Sequence, residues 1–123
     1  MKVTREKIIE LLTEEMKILK SKITYSTNYA HYCFYNTDLK NINDYNTWKK
    51  KAEDSERYQR RYIATKYARA IFTMQFSNIQ IFLALTTDIK KLVARIVNYY
   101  GLEASKKANV TWDMTRLEIE TVY

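Results

Sequence analysis

With one glycine and no proline among 123 residues, the chain lacks the residues that tight turns and hairpins need most. A turn-rich sandwich or barrel is therefore disfavoured. Glycine-rich phosphate loops are excluded on the same ground, because they need several positions where the backbone comes close to phosphate or takes unusual dihedrals. The 46% hydrophobic and 28% charged residues suit a chain that folds around a core, not a disordered one. The expectation is an all-α single domain covering residues 1–123, a bundle of three or four antiparallel helices with one long central helix, either straight or kinked.

Periodicity places the helices. Thr4 can cap a first helix, with Val3 and Ile8 as its hydrophobic staple. Ile8, Leu11, Leu12, Met16, Leu19 and Ile23 then recur every three or four residues, and Ala30 and Cys33 keep the period. This predicts a helix over about 5–35. Residues 36–44 are rich in Asn, Asp and Thr, whose side chains bond their own backbone, and read as a loop. A second helix, capped at Asp44 or Thr47, meets no glycine or proline as far as Leu85. Unbroken from 45 to 85 it would span about 60 Å, so either a rod or a kink near Ser77 and Asn78 is expected. Thr86, Thr87 and Asp88 form a restart signal. Ile89, Leu92, Val93, Ile96, Val97 and Tyr100 then share one face of a helix over 88–100 that Gly101 ends, with Leu102 available for the cap contact. For an element at 110–122 both periods compete: Thr111 could cap a helix, while Val110, Trp112 and Met114 alternate as in a strand. The reading leans slightly to helix.

Candidates for chemistry are few. Cys33 and His31 are the lone residues of their kinds, and two positions apart on a helix they project from different sides. They cannot complete a zinc site and have the wrong spacing for a nucleophile pair. Glu6, Glu10 and Glu14 form an acidic ridge, and Glu118 and Glu120 lie near the C-terminus, but an exposed stripe offers no contrast in acidity between two carboxyls. The expectation is no catalytic residue, no metal, no cofactor and no enzyme. One cysteine points to a reducing intracellular setting, or to a virion or host cytoplasm for a viral chain. The N-terminus reads as neither a secretory nor a transit peptide. The apolar run 71–85 is too short and too interrupted to cross a membrane.

Charge is more informative. From Arg57 through Leu102 there are eight basic residues, Arg57, Arg60, Arg61, Lys66, Arg69, Lys90, Lys91 and Arg95, against Asp88 alone, while the rest of the chain balances at thirteen of each sign. The formal net charge of +7 thus falls within one window. Glu53 and Glu56 stand four residues before Arg57 and Arg60, a spacing that favours helical ion pairs. Tyr58 and Tyr62 interleave with the arginines, an arrangement able to contact phosphates and stack on a base. In the ordinary alternative, such cations cover a solvated surface and such tyrosines complete a core with their hydroxyls at its rim. Segregation of sign speaks against it.

The first expectation is a basic helical protein that binds nucleic acid, DNA or RNA, through its phosphate backbone without base specificity, using these eight cations with Tyr58 and Tyr62. No motif for reading bases is present. The apolar face of Ile71, Phe72, Met74, Phe76, Ile79, Phe82 and Leu83 exceeds what one helix covers and predicts self-association, in the simplest case a homodimer. The rival expectation is a protein-interaction module, or a viral-type inhibitor, that docks Tyr25, Tyr29, Tyr32 and Tyr35 on an acidic protein of a nucleic-acid-processing complex. A composition rich in Ile, Lys, Asn and Tyr suits an AT-rich genome such as that of a virus or mobile element.

Overall fold

The structure is a computed structural model that describes residues 3–100, 107–113 and 116–122. Four helices, α1 (Arg5–Asn36), α2 (Ile42–Thr73), α3 (Asn78–Ala84) and α4 (Thr87–Tyr100), form an all-α body, followed by strands β1 (Lys107–Asp113) and β2 (Arg116–Val122). Two compact units emerge: residues 1–15 with 64–123, and residues 16–63. We call them the core unit and the hairpin unit.

In the core unit the first turns of α1 carry Ile8, Leu11 and Leu12, which cluster with Ala68, Ile71 and Phe72 of α2, Ile81 of α3, Leu85, and Val93, Ile96 and Val97 of α4. Helix α1 begins where its cap signal lies: Thr4 Oγ1 accepts from the Lys7 amide at 3.2 Å, and the half-buried Val3 packs on the core beside Ile8. Helix α4 starts in the same way, with Thr86 Oγ1 accepting from the Ile89 amide at 3.3 Å. Its buried Val93, Ile96 and Val97 realise the predicted face. The Gly101 and Leu102 cap lies outside the described residues, as does the Tyr100 side chain.

Of the two forms expected over 45–85, a rod or a kink near Ser77 and Asn78, the chain takes the break: the span is two helices, with α3 beginning at Asn78. Thr73 Oγ1 turns back to the Ala70 carbonyl at 2.8 Å, and the Met74 amide is shared between the Ala70 and Ile71 carbonyls. Ser77 then opens α3 with a capping box, its side chain accepting from the Gln80 amide while Gln80 accepts from the Ser77 amide. The Arg5 guanidinium donates to the Phe76 carbonyl at 2.7 Å, supplying a donor to the interrupted backbone. The break lets Ile81 and Leu85 join the cluster that holds Ile71 and Phe72. Of the apolar face read from the sequence, Ile71 and Phe72 are buried, whereas Met74, Ile79 and Leu83 are exposed. Ser77→Ala is expected to cost about 1 kcal/mol through loss of the cap, measured as a lower denaturant midpoint at unchanged slope.

The slight lean to helix at 110–122 is corrected. β1 and β2 pair antiparallel, with Val110 opposite Ile119 and Trp112 opposite Leu117, while Thr111 faces Glu118 and Asn109 faces Glu120. From Asn109↔Glu120 to Asp113↔Arg116 apolar residues stand opposite apolar ones and polar opposite polar, while Lys107↔Val122 and Ala108↔Thr121 are mixed, so the period-2 pattern outweighs the cap signal at Thr111. β1 runs beside α4, support that a lone two-stranded ribbon needs.

In the hairpin unit the remainder of α1 and the first turns of α2 lie antiparallel. Thr27 Oγ1 and Ser55 Oγ are 2.6 Å apart, Phe34 meets Trp48, and Lys22 lies over Tyr58. The connecting turn forms where Asn and Asp are dense. The Asp38 carboxylate accepts from the Lys40 amide at 3.0 Å, and Asn41 Oδ1 accepts from the Asn43 amide at 2.9 Å. The cap of α2 is thus Asn41, upstream of the expected Asp44 or Thr47, because its side chain reaches the first free amides. Here the buried residues are mostly small, namely Ser26, Ala30, Cys33 and Ser55 with Leu19. Small residues at the helix contact leave the aromatic rings no interior to fill.

Candidate functional site

The basic residues singled out in the sequence divide between the units. Arg57, Arg60 and Arg61, with Tyr58 and Tyr62, belong to the hairpin unit, and Lys66, Arg69, Lys90, Lys91 and Arg95 to the core unit. Several are already engaged. Arg60 pairs with Glu56 at 3.2 Å as expected, whereas Arg57 pairs with Asp54 at 3.2 Å, not with Glu53. Arg69 Nε donates to Thr13 Oγ1 at 2.8 Å in a half-buried setting, which makes it a packing residue of the core unit. The Lys90 ammonium lies 3.5 Å from the centre of the Phe82 ring, and Arg61 is half-buried and engaged within the protein. Lys66, Lys91 and Arg95 are exposed, with no ion pair among the described residues.

Divided by unit, the charge tells a different story from the sequence window. The hairpin unit holds ten basic residues against five acidic, and the core unit eleven against nine. Five of the seven net charges therefore sit on 16–63. The sequence window missed Lys17, Lys20 and Lys22 because the glutamates of the first turns of α1 cancel them in a long count. A shorter window finds them, since no acidic residue occurs from Lys17 through Thr37.

Tyrosines stand among these lysines. Tyr25, Tyr32 and Tyr35 are exposed, at 61%, 61% and 78%, and Tyr29 is less so; Tyr58 and Tyr62 are half-buried. The first four thus lie outside the core and the last two at its rim. Lys51 Nζ sits 5.1 Å and 5.0 Å from the ring centres of Tyr25 and Tyr29, and Lys22 Nζ lies 5.5 Å from Tyr58, where the Arg57 guanidinium also lies at 5.1 Å. These are partly exposed cation–π contacts, each of modest strength.

A cavity of about 260 Å³ opens among these groups, with Tyr25 and Tyr58 on its walls, Lys22 and Lys51 beside them, and Asp54 and Ser26 completing the lining. Tyr25 comes from the tyrosine set read as a protein interface and Tyr58 from the basic set; the structure places both at one site. A wider surface groove of about 720 Å³, lined by Lys17, Lys20, Ser21, Thr24 and Tyr25, shares Ser21 and Tyr25 with the cavity. Its residues recur every three or four positions along α1 and so form one stripe.

Other candidates are kept apart by the fold. His31 is exposed and Cys33 buried. Among the described residues no group of three or more His, Cys, Asp or Glu is placed to hold a metal ion, and no helix is long and apolar enough to cross a membrane. Comparison with protein-family models, with curated proteins and with solved structures finds no match to the chain.

Proposed function

We propose that this protein binds nucleic acid through the phosphate backbone, without base specificity. The observation that carries the reading is the concentration of net positive charge on the hairpin unit, where exposed Lys17 and Lys20 line a groove with exposed Tyr25 and exposed Lys22 lines the cavity adjoining it. Ammonium groups so placed neutralise phosphates of a bound strand and release condensed counterions, an entropic drive indifferent to sequence. Arg57 and Arg60 add charge that their carboxylate partners partly cancel. Lys66, Lys91 and Arg95 of the core unit offer further cations.

The test is binding of the purified chain to labelled single- and double-stranded DNA and RNA across a salt series, with the mass determined in the same buffers. The expected result is micromolar or tighter binding near physiological salt that falls linearly in log–log form as salt rises. The mass reports whether exposed Ile79 and Leu83 bring copies together. An intact fold that binds none of the four polymers at low salt rejects the reading.

One observation favours a second reading. Tyr32, Phe34 and Tyr35 are exposed together near the end of α1, away from the cavity lining, and aromatic side chains of this kind anchor protein interfaces. In this reading the chain is an interaction module for an acidic protein, and Tyr32→Ala with Tyr35→Ala removes a pull-down partner while the fold persists.

A further inference from the structure

The cavity lined by Tyr25 and Tyr58 sets two aromatic rings among ammonium groups on the hairpin unit. Its volume of about 260 Å³ lies just below the roughly 300–1,000 Å³ of small-molecule pockets, so it suits one flat group and not a whole cofactor. Aromatic side chains line it, ammonium groups flank it, and the lysine-bearing groove on α1 meets it at Ser21 and Tyr25. We infer that this cavity receives a single unstacked base of a single-stranded nucleic acid while Lys17 and Lys20 follow the adjoining phosphates. The inference rests on the nucleic-acid reading above and narrows it to single strands.

The chemistry is an exchange of contacts. In the free protein Lys51 lies over Tyr25 and Lys22 over Tyr58. An arriving strand offers phosphates, which draw each ammonium into a charge-assisted hydrogen bond. The vacated ring faces then accept the base, whose own π-face makes stacking tolerant of its identity. Asp54 is no obstacle to the strand, because the Arg57 guanidinium already engages its carboxylate at 3.2 Å. A duplex keeps its bases paired and stacked, so it meets the lysines but cannot fill the cavity.

The experiment compares three probes at one salt concentration: a labelled oligothymidylate, an abasic strand of equal length with the same phosphates, and a duplex. The wild-type chain is expected to bind oligothymidylate about tenfold more tightly than the abasic strand, in line with the loss on removing a stacking aromatic. Tyr25→Leu erases that difference, while Tyr25→Trp preserves it. Tyr25 is largely exposed, so the variant keeps its helical signal, and Tyr58→Leu gives the second wall. Equal wild-type affinity for oligothymidylate and the abasic strand overturns the base pocket and leaves backbone binding standing. A preference that survives both Tyr25→Leu and Tyr58→Leu also overturns it. Binding to none of the probes overturns this inference and the proposed function together.

Discussion

Replacing Lys17, Lys20 and Lys22 together by Glu is expected to weaken binding to every nucleic acid by about a hundredfold near physiological salt, under the proposed function. The slope of log affinity against log salt should become shallower by about 2, since each single-strand phosphate contact contributes about 0.7. The effect is large because the reversal removes three cations and adds three anions, two along the groove on α1 and one at the cavity that adjoins it. The side chains are exposed and enter no ion pair among the described residues, so the fold loses no carboxylate contact when they change. Reversing Arg57 and Arg60 is a weaker test of the same idea, because Asp54 and Glu56 already offset their charge. A control is Lys7→Glu in the core unit, where Lys7 stands 3.4 Å from Glu10; it should leave the slope nearly unchanged. A triple variant with intact helicity and wild-type affinity removes these lysines from the interface.

Leu12→Ala is expected to destabilise the chain by about 2–5 kcal/mol, the range for emptying a fully buried leucine site. Leu12 is 0% exposed within the cluster that gathers α1, α2, α3 and α4, so its truncation leaves a cavity inside that cluster. Domains are stable by only about 5–15 kcal/mol, and a loss of this size moves the urea midpoint far. Leu83→Ala makes the comparison: Leu83 is an equally apolar residue but 75% exposed, and its truncation should stay within about 0.5 kcal/mol. Comparable losses at the two sites, or less than about 1 kcal/mol at Leu12, contradict the packing described.

Tyr58 and Tyr62 are half-buried, in keeping with the ordinary pattern of tyrosines at a core rim. Tyr25, Tyr32 and Tyr35 depart from it. Their recurrence along α1 was visible in the sequence, but whether a ring turns inward depends on the space its partner helix leaves. In the hairpin unit Ser26, Ala30, Cys33 and Ser55 occupy that space, and the Thr27–Ser55 hydroxyl contact holds the helices together. The meeting of Tyr25 with Tyr58 joins residues 33 positions apart, a pairing set by the antiparallel register and by nothing in either local segment.

What the sequence determined by itself is what local chemistry decides. The scarcity of glycine and proline enforced helices; the Thr4 and Thr86 hydroxyls marked where α1 and α4 begin; and the 3.6-residue period named Ile8, Leu11, Leu12, Val93, Ile96 and Val97 as core. These signals act within a turn or two of chain, so they survive without knowledge of the fold. Tertiary structure decided the rest. It chose the break near Ser77 over an unbroken rod, with Arg5 of a distant turn meeting the Phe76 carbonyl, and it paired 107–113 with 116–122 as strands, one of them beside α4. It also divided the cations between two units, so that Arg69 is tied to Thr13 while Lys22 and Lys51 flank a cavity. A charge count runs along the chain, whereas a ligand meets a surface, and only folding determines which distant side chains that surface brings together.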